Sequence, residues 1–117
     1  MKMPSADPAT VTTFESLVPK GENVTVRKVF GQPAAFVNGN MFFGVFGDRV
    51  FVRLGEKAVE EARRSVRVEP FEPMEGRPMT GYAVLPKPLL RDRAKASAWV
   101  GRAQKFAQAL PPKRPTR

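Results

Sequence analysis

Three apolar runs separated by two dipeptides occupy residues 34–54. Ala34 to Val37 leads into Asn38-Gly39, the pair that best tolerates the positive φ angles of a type I′ turn. Met41 to Phe46 is apolar on both faces, as a central strand requires, and runs into a second tight turn at Gly47-Asp48. From Arg49 to Leu54 the pattern alternates: Val50, Val52 and Leu54 on one side, Arg49, Phe51 and Arg53 on the other. Strands joined by two-residue links can only pair antiparallel, so this stretch is expected to form a three-stranded meander.

The flanking sequence supplies further elements. A short helix is expected from Ala9 to Val18, stopped by Pro19, and a strand from Val24 to Phe30, with a bend or bulge at Gly31. Glu56 to Ser65 reads as a helix with Ala58, Val59 and Ala62 inward. Val66 to Glu72 reads as extended, and Pro70 and Pro73 confine it to a sheet edge, since proline cannot donate to a ladder on both sides. A further strand is expected at Thr80 to Leu85, and a long helix at Leu89 to Leu110 with the stripe Leu89, Ala96, Trp99, Ala103, Phe106 and Leu110. Together these make one α+β domain in two layers. A mainly antiparallel sheet of five or six strands carries helices at both ends and one in the middle. Residues 1–8 are expected to be a flexible leader, 9–110 the domain, and 111–117 a basic flexible tail.

Composition narrows the chemistry. A chain of 117 residues fits one domain, and it has neither Cys nor His, so thiolate metal sites, disulfides and imidazole bases are out of reach. Gly76 to Gly81 and Gly39 to Gly44 have the glycine spacing of a phosphate-binding loop but lack the Lys-Ser/Thr that must follow. No serine sits in a nucleophile elbow. A non-enzymatic protein without a cofactor is expected. The longest apolar run is too short to span a bilayer and no signal peptide is legible, which points to the cytoplasm and away from membranes.

Charge is unevenly placed. Residues 1–86 hold 11 Lys/Arg and 10 Asp/Glu, whereas residues 87–117 hold 9 Lys/Arg and one acid, Asp92. On a continuous helix Arg91, Lys95, Arg102 and Lys105 fall within an arc of roughly 80° beside the apolar stripe. This row, continued by Lys113, Arg114 and Arg117, is either a solvated face or a weak phosphate-binding edge. A membrane-surface role competes less well, because Trp99 and Phe106 share the stripe that should pack on the sheet. Two further candidates concern a protein partner. The loop Pro73 to Met79 is either a rigid binding loop, with Met74, Arg77 and Met79 in contact, or a crossover whose methionines fill the core. Arg27 and Lys28 either reach a partner or coat a strand. An unpaired strand edge near Phe30 and Phe36 would permit a homodimer.

The order of motifs resembles the N-terminal domain of the bacterial TfoX/Sxy proteins. The matching segments are Arg27 to Gly31, Phe36 to Phe42, Gly47 to Leu54, Pro70 to Met74 and Gly76 to Met79, followed by Tyr82 to Pro86 and the Trp99 helix. The resemblance implies a two-layer α+β domain with an antiparallel sheet and no catalytic residues. The resemblance implies kinship with a regulator of natural competence genes that acts with the catabolite activator protein. The chain is expected to be a stand-alone N-terminal domain without the second domain of that regulator. It also carries Val29-Phe30-Gly31-Gln32 where the family usually has Met-Phe-Gly-Gly. The expected function is therefore that of a regulatory binding module, with weak nucleic-acid contact as the alternative.

Overall fold

In the computed structural model, which describes residues 5–21, 23–29, 31–73 and 76–112, one sheet carries helices on one face. The elements in chain order are α1 (Pro8–Leu17), β1 (Val24–Val29), β2 (Gln32–Val37), β3 (Asn40–Phe46), β4 (Arg49–Arg53), α2 (Glu56–Ser65), β5 (Glu69–Pro70), β6 (Tyr82–Val84), α3 (Lys87–Arg91) and α4 (Arg93–Gln108). The six strands are ordered β1-β2-β3-β4-β6-β5 and every pairing is antiparallel. The α+β class, the meander and the helix at Glu56–Ser65 agree with the sequence pattern. So does the edge position of the Pro70 segment.

The turns follow from backbone chemistry. Asn38 and Gly39 both have positive φ, 51° and 79°, as a type I′ link demands. Gly47, at 65°, takes the first central position of the β3–β4 link, where a type II′ turn needs glycine. Gly31, at 78°, lies in the link between β1 and β2. It supplies the bend but not the bulge. The bulge lies in β3: Ala35 faces Phe43 and Phe36 faces Met41, which leaves Phe42 as the extra residue. That insertion turns two consecutive phenylalanines toward the helices. Both are fully buried, their ring centroids are 5.1 Å apart, and the Phe14 ring of α1 lies 4.6 Å from Phe43. Each such ring removed from water is worth about 2–3 kcal/mol.

The last helix departs from expectation in two ways. It is broken at Asp92, whose backbone is extended (φ −95°, ψ 95°) and whose carboxylate accepts a hydrogen bond from the Lys95 amide at 3.2 Å. Asp92 thus caps α4, the usual task of an Asp at this position, and α3 is a separate turn. The buried stripe of α4 is Ala96, Val100, Ala103 and Ala107, not the Trp99–Phe106–Leu110 line, whose members are half-buried at its flank. Small residues let α4 approach β3 and β4 closely over the paired phenylalanines, and the large side chains seal the border. Asn40, buried at the start of β3, ties the helix end down by donating from Nδ2 to the carbonyl oxygen of Pro111 at 3.1 Å.

The other face of the sheet is built on a glycine. A Cβ on Gly44 would lie 2.8 Å from Phe51 Cζ and 2.9 Å from Ala34 Cβ. The Phe51 ring therefore lies across β3 at Gly44, and Phe71 stacks on it at 4.2 Å with the planes 6° apart. We predict that Gly44→Ala lowers unfolding free energy in urea by about 1–3 kcal/mol, the usual cost of forcing atoms into a packed site. Adding Phe51→Leu should cost less than the sum of the single changes, because the smaller side chain removes the clash.

Candidate functional site

Strand alternation decides which side chains can meet a partner. Residues directly opposite each other in a ladder share a face. Ala35, Val37, Val45, Val50 and Val52 point to the helices. The opposite set, Arg27, Phe36, Met41, Phe46, Arg49 and Phe51 among them, points to the face that no helix covers.

Phe71 and Met79 pack over part of this open face. Phe71 stacks on Phe51 and meets Phe46 edge-on at 5.5 Å and 78°. Met79 donates its amide to the Phe71 carbonyl at 2.8 Å, and its side chain packs against the cluster of Phe51, Phe71 and Val84. Met41 and Phe46 are half-buried against this cluster, and Phe36 is buried. The Arg27 guanidinium stands 4.0 Å above the Phe36 ring, a cation–π geometry, and Arg49 is exposed beside Phe46. At the far end Arg53 lies between Tyr82 and Phe106, at 5.5 and 5.7 Å. Burial raises the Tyr82 phenol above its ordinary value, and the charge of Arg53 offsets part of that rise.

Two open clefts, of about 630 and 460 Å³, meet at the β3–β4 turn and share Asp48 and Arg49. Asp48 accepts a hydrogen bond from Lys87 Nζ at 2.8 Å, which holds its carboxyl below the usual value, first by the bond and then by the charge. Both groups are well exposed, so the pair contributes little to stability. Behind the turn Gln32 is buried, and its Oε1 accepts from the Gly47 amide at 2.6 Å. The glutamine that departs from the resembled motif therefore fastens the start of β2 to the β3–β4 turn. Among the described residues no group of three or more acids could hold a metal.

The candidates read from the sequence are not brought to one place. Arg27 lies on the open face, but Lys28, one residue on, points to the opposite side. Arg77 is exposed within the 71–79 segment and Met79 is part of its packing. Met74 lies outside the described residues. β1 and β6 stand four strand spacings apart, about 19 Å. Lys95, Arg102 and Lys105 are exposed on α4, with Lys95 4.0 Å from Asp92 and Arg102 stacked 4.4 Å over Trp99. Arg91 is exposed on α3, across the break at Asp92, so a single helical projection does not relate it to the others. Lys113, Arg114 and Arg117 lie outside the described residues. Met41 escaped notice because its strand is apolar on both faces; Arg49 was placed by the alternation of β4 but, as a lone Arg without a motif, was not taken as a site.

The family model of the TfoX N-terminal domain matches residues 15–107. No curated protein matches the chain. The matched domain is of a regulatory type and is not a known enzyme family. No helix among the described residues is long and apolar enough to cross a membrane.

Proposed function

Because the chain belongs to the TfoX N-terminal domain family, we propose that it is a non-catalytic binding module of the bacterial cytoplasm that docks a protein partner on the open face of its sheet. The observation that carries this reading is the pair of exposed or ring-stacked cations on that face, Arg49 beside the half-buried Phe46 and Arg27 over the Phe36 ring, with half-buried Met41 near Phe36. Strands β1 to β4 themselves carry no carboxylate, although Asp7, Asp48 and Glu72 line the cleft beside Phe46 and Arg49. A partner segment that presents acids around one or two apolar side chains matches both the charge and the half-buried Met41 and Phe46. Replacing Arg27 and Arg49 with Glu reverses these charges without touching the core. The expected result is that protein recovered in stoichiometric amounts by the unmodified chain from source-cell extract falls at least about tenfold with this variant, the weight of two charged contacts. Equal recovery by both would contradict the reading.

The outer side of α4 supports a second reading, sequence-independent contact with nucleic acid. Between Arg93 and Pro112 there is no carboxylate, and Lys95, Arg102 and Lys105 are all exposed. Phosphate contacts release counterions, so four engaged cations, Arg91 included, predict a log–log salt slope of about −3.6 on duplex DNA, from roughly −0.9 per contact. Changing Arg91, Lys95, Arg102 and Lys105 to Gln should flatten that slope with the fold intact. Absence of binding at low salt would end this reading.

A further inference from the structure

We infer that β1 is the seam of a symmetric dimer, in which it pairs antiparallel with β1 of a second copy, centred on Val26. This goes beyond the docking reading, because it uses the edge of the sheet and not its open face.

Among the described residues β1 ends the strand order and pairs only with β2. The hydrogen bond from the Asn38 amide to the Asn23 carbonyl at 3.3 Å fixes the phase of that ladder. Antiparallel pairing alternates, so Thr25, Arg27 and Val29 turn their amide and carbonyl groups toward β2, while Val24, Val26 and Lys28 turn theirs to the free edge. The Val24 amide is already engaged, donating to Gly21 O at 3.3 Å. The edge thus offers the amides of Val26 and Lys28 and the carbonyls of Val24, Val26 and Lys28.

This set is complementary to itself. With Val26 opposite Val26 of the second copy, the two exchange a pair of hydrogen bonds, and each Lys28 amide reaches the other copy's Val24 carbonyl, four new bonds in all. Centring on Val26 is the arrangement that matches all three outward residues by a two-fold rotation. Its axis runs perpendicular to the sheet, so the helices of both copies lie on one side and both open faces on the other.

The side chains agree with this register. Val26 is 50% exposed, and no other large apolar side chain is exposed among the described residues. In the dimer the two Val26 side chains lie side by side and cover each other. Charged residues usually protect a free edge. Here Arg27 comes opposite Thr25 and Lys28 opposite Val24, so no like charges face directly. The four cations still repel at longer range. Association therefore tightens as salt rises, the reverse of the salt effect expected for α4 on DNA.

The test uses the full chain, whose lack of cysteine makes single Cys variants specific. Light scattering from micromolar to millimolar concentration should show the mass rise from 13.0 kDa toward twice that value, and rise further in high salt. Under mild oxidation Val26→Cys should cross-link, because a hydrogen-bonded pair holds its Cα atoms about 5.5 Å apart, within disulfide reach. Lys28→Cys should not, because Lys28 and its copy are offset by four residues, about 13 Å. Val26→Pro removes only an outward amide and should weaken association about tenfold or more with an unchanged circular dichroism spectrum. A mass of 13.0 kDa at every concentration, or Lys28→Cys cross-linking as fast as Val26→Cys, would overturn the dimer. The contrast between the two Cys variants decides the register even if the proline variant does not fold.

Discussion

At Gly44 the missing Cβ leaves space that the Phe51 ring fills, and Phe71 lies flat on that ring. This contact joins residues from the meander to the segment after α2, some twenty positions on. Phe71 stands immediately after β5, so the stack holds that short edge strand against β6, which in turn pairs with β4. It also sets how much of the non-helical face is closed. A glycine inside a strand weakens the strand itself, and a ring from the neighbouring strand compensates by covering it. On the same face the Arg27 guanidinium covers the buried Phe36 ring.

The opposite face owes its shape to the bulge in β3. With regular alternation only one of Phe42 and Phe43 could enter the core. The extra residue brings both in, and the crowded floor admits a helix lined by alanine and valine.

Much of this was legible in the sequence where local chemistry decides. Asn38-Gly39 and Gly47-Asp48 marked the meander because positive φ is a property of one or two residues. Pro70 marked the sheet edge because a missing amide is local too. The break at Asp92 was missed because a periodicity plot treats a helix as continuous, although an Asp before a basic run is also a cap. The buried stripe of α4 was only partly placed: Ala96 and Ala103 are in it, but Val100 and Ala107 complete it where Trp99 and Phe106 were expected, because those rings outweigh alanine on any hydropathy scale while closeness of approach favours small residues. The partnership of Gly44 with Phe51 and Phe71 left no trace in spacing, since it depends on which strands become neighbours. Arg27 and Lys28 look like one basic pair in sequence, and the strand period separates them.

The claim on which the account turns is that the Phe51–Phe71 stack over Gly44 holds Phe71 and Met79 on the sheet. Amide hydrogen exchange reads this at Met79, whose N–H is bonded to the Phe71 carbonyl at 2.8 Å. In Phe51→Leu the Met79 amide is predicted to exchange about tenfold faster than in the unmodified protein, beyond any change at Phe43 in the sealed core. Met79 protection that changes no more than that of Phe43 would contradict the account.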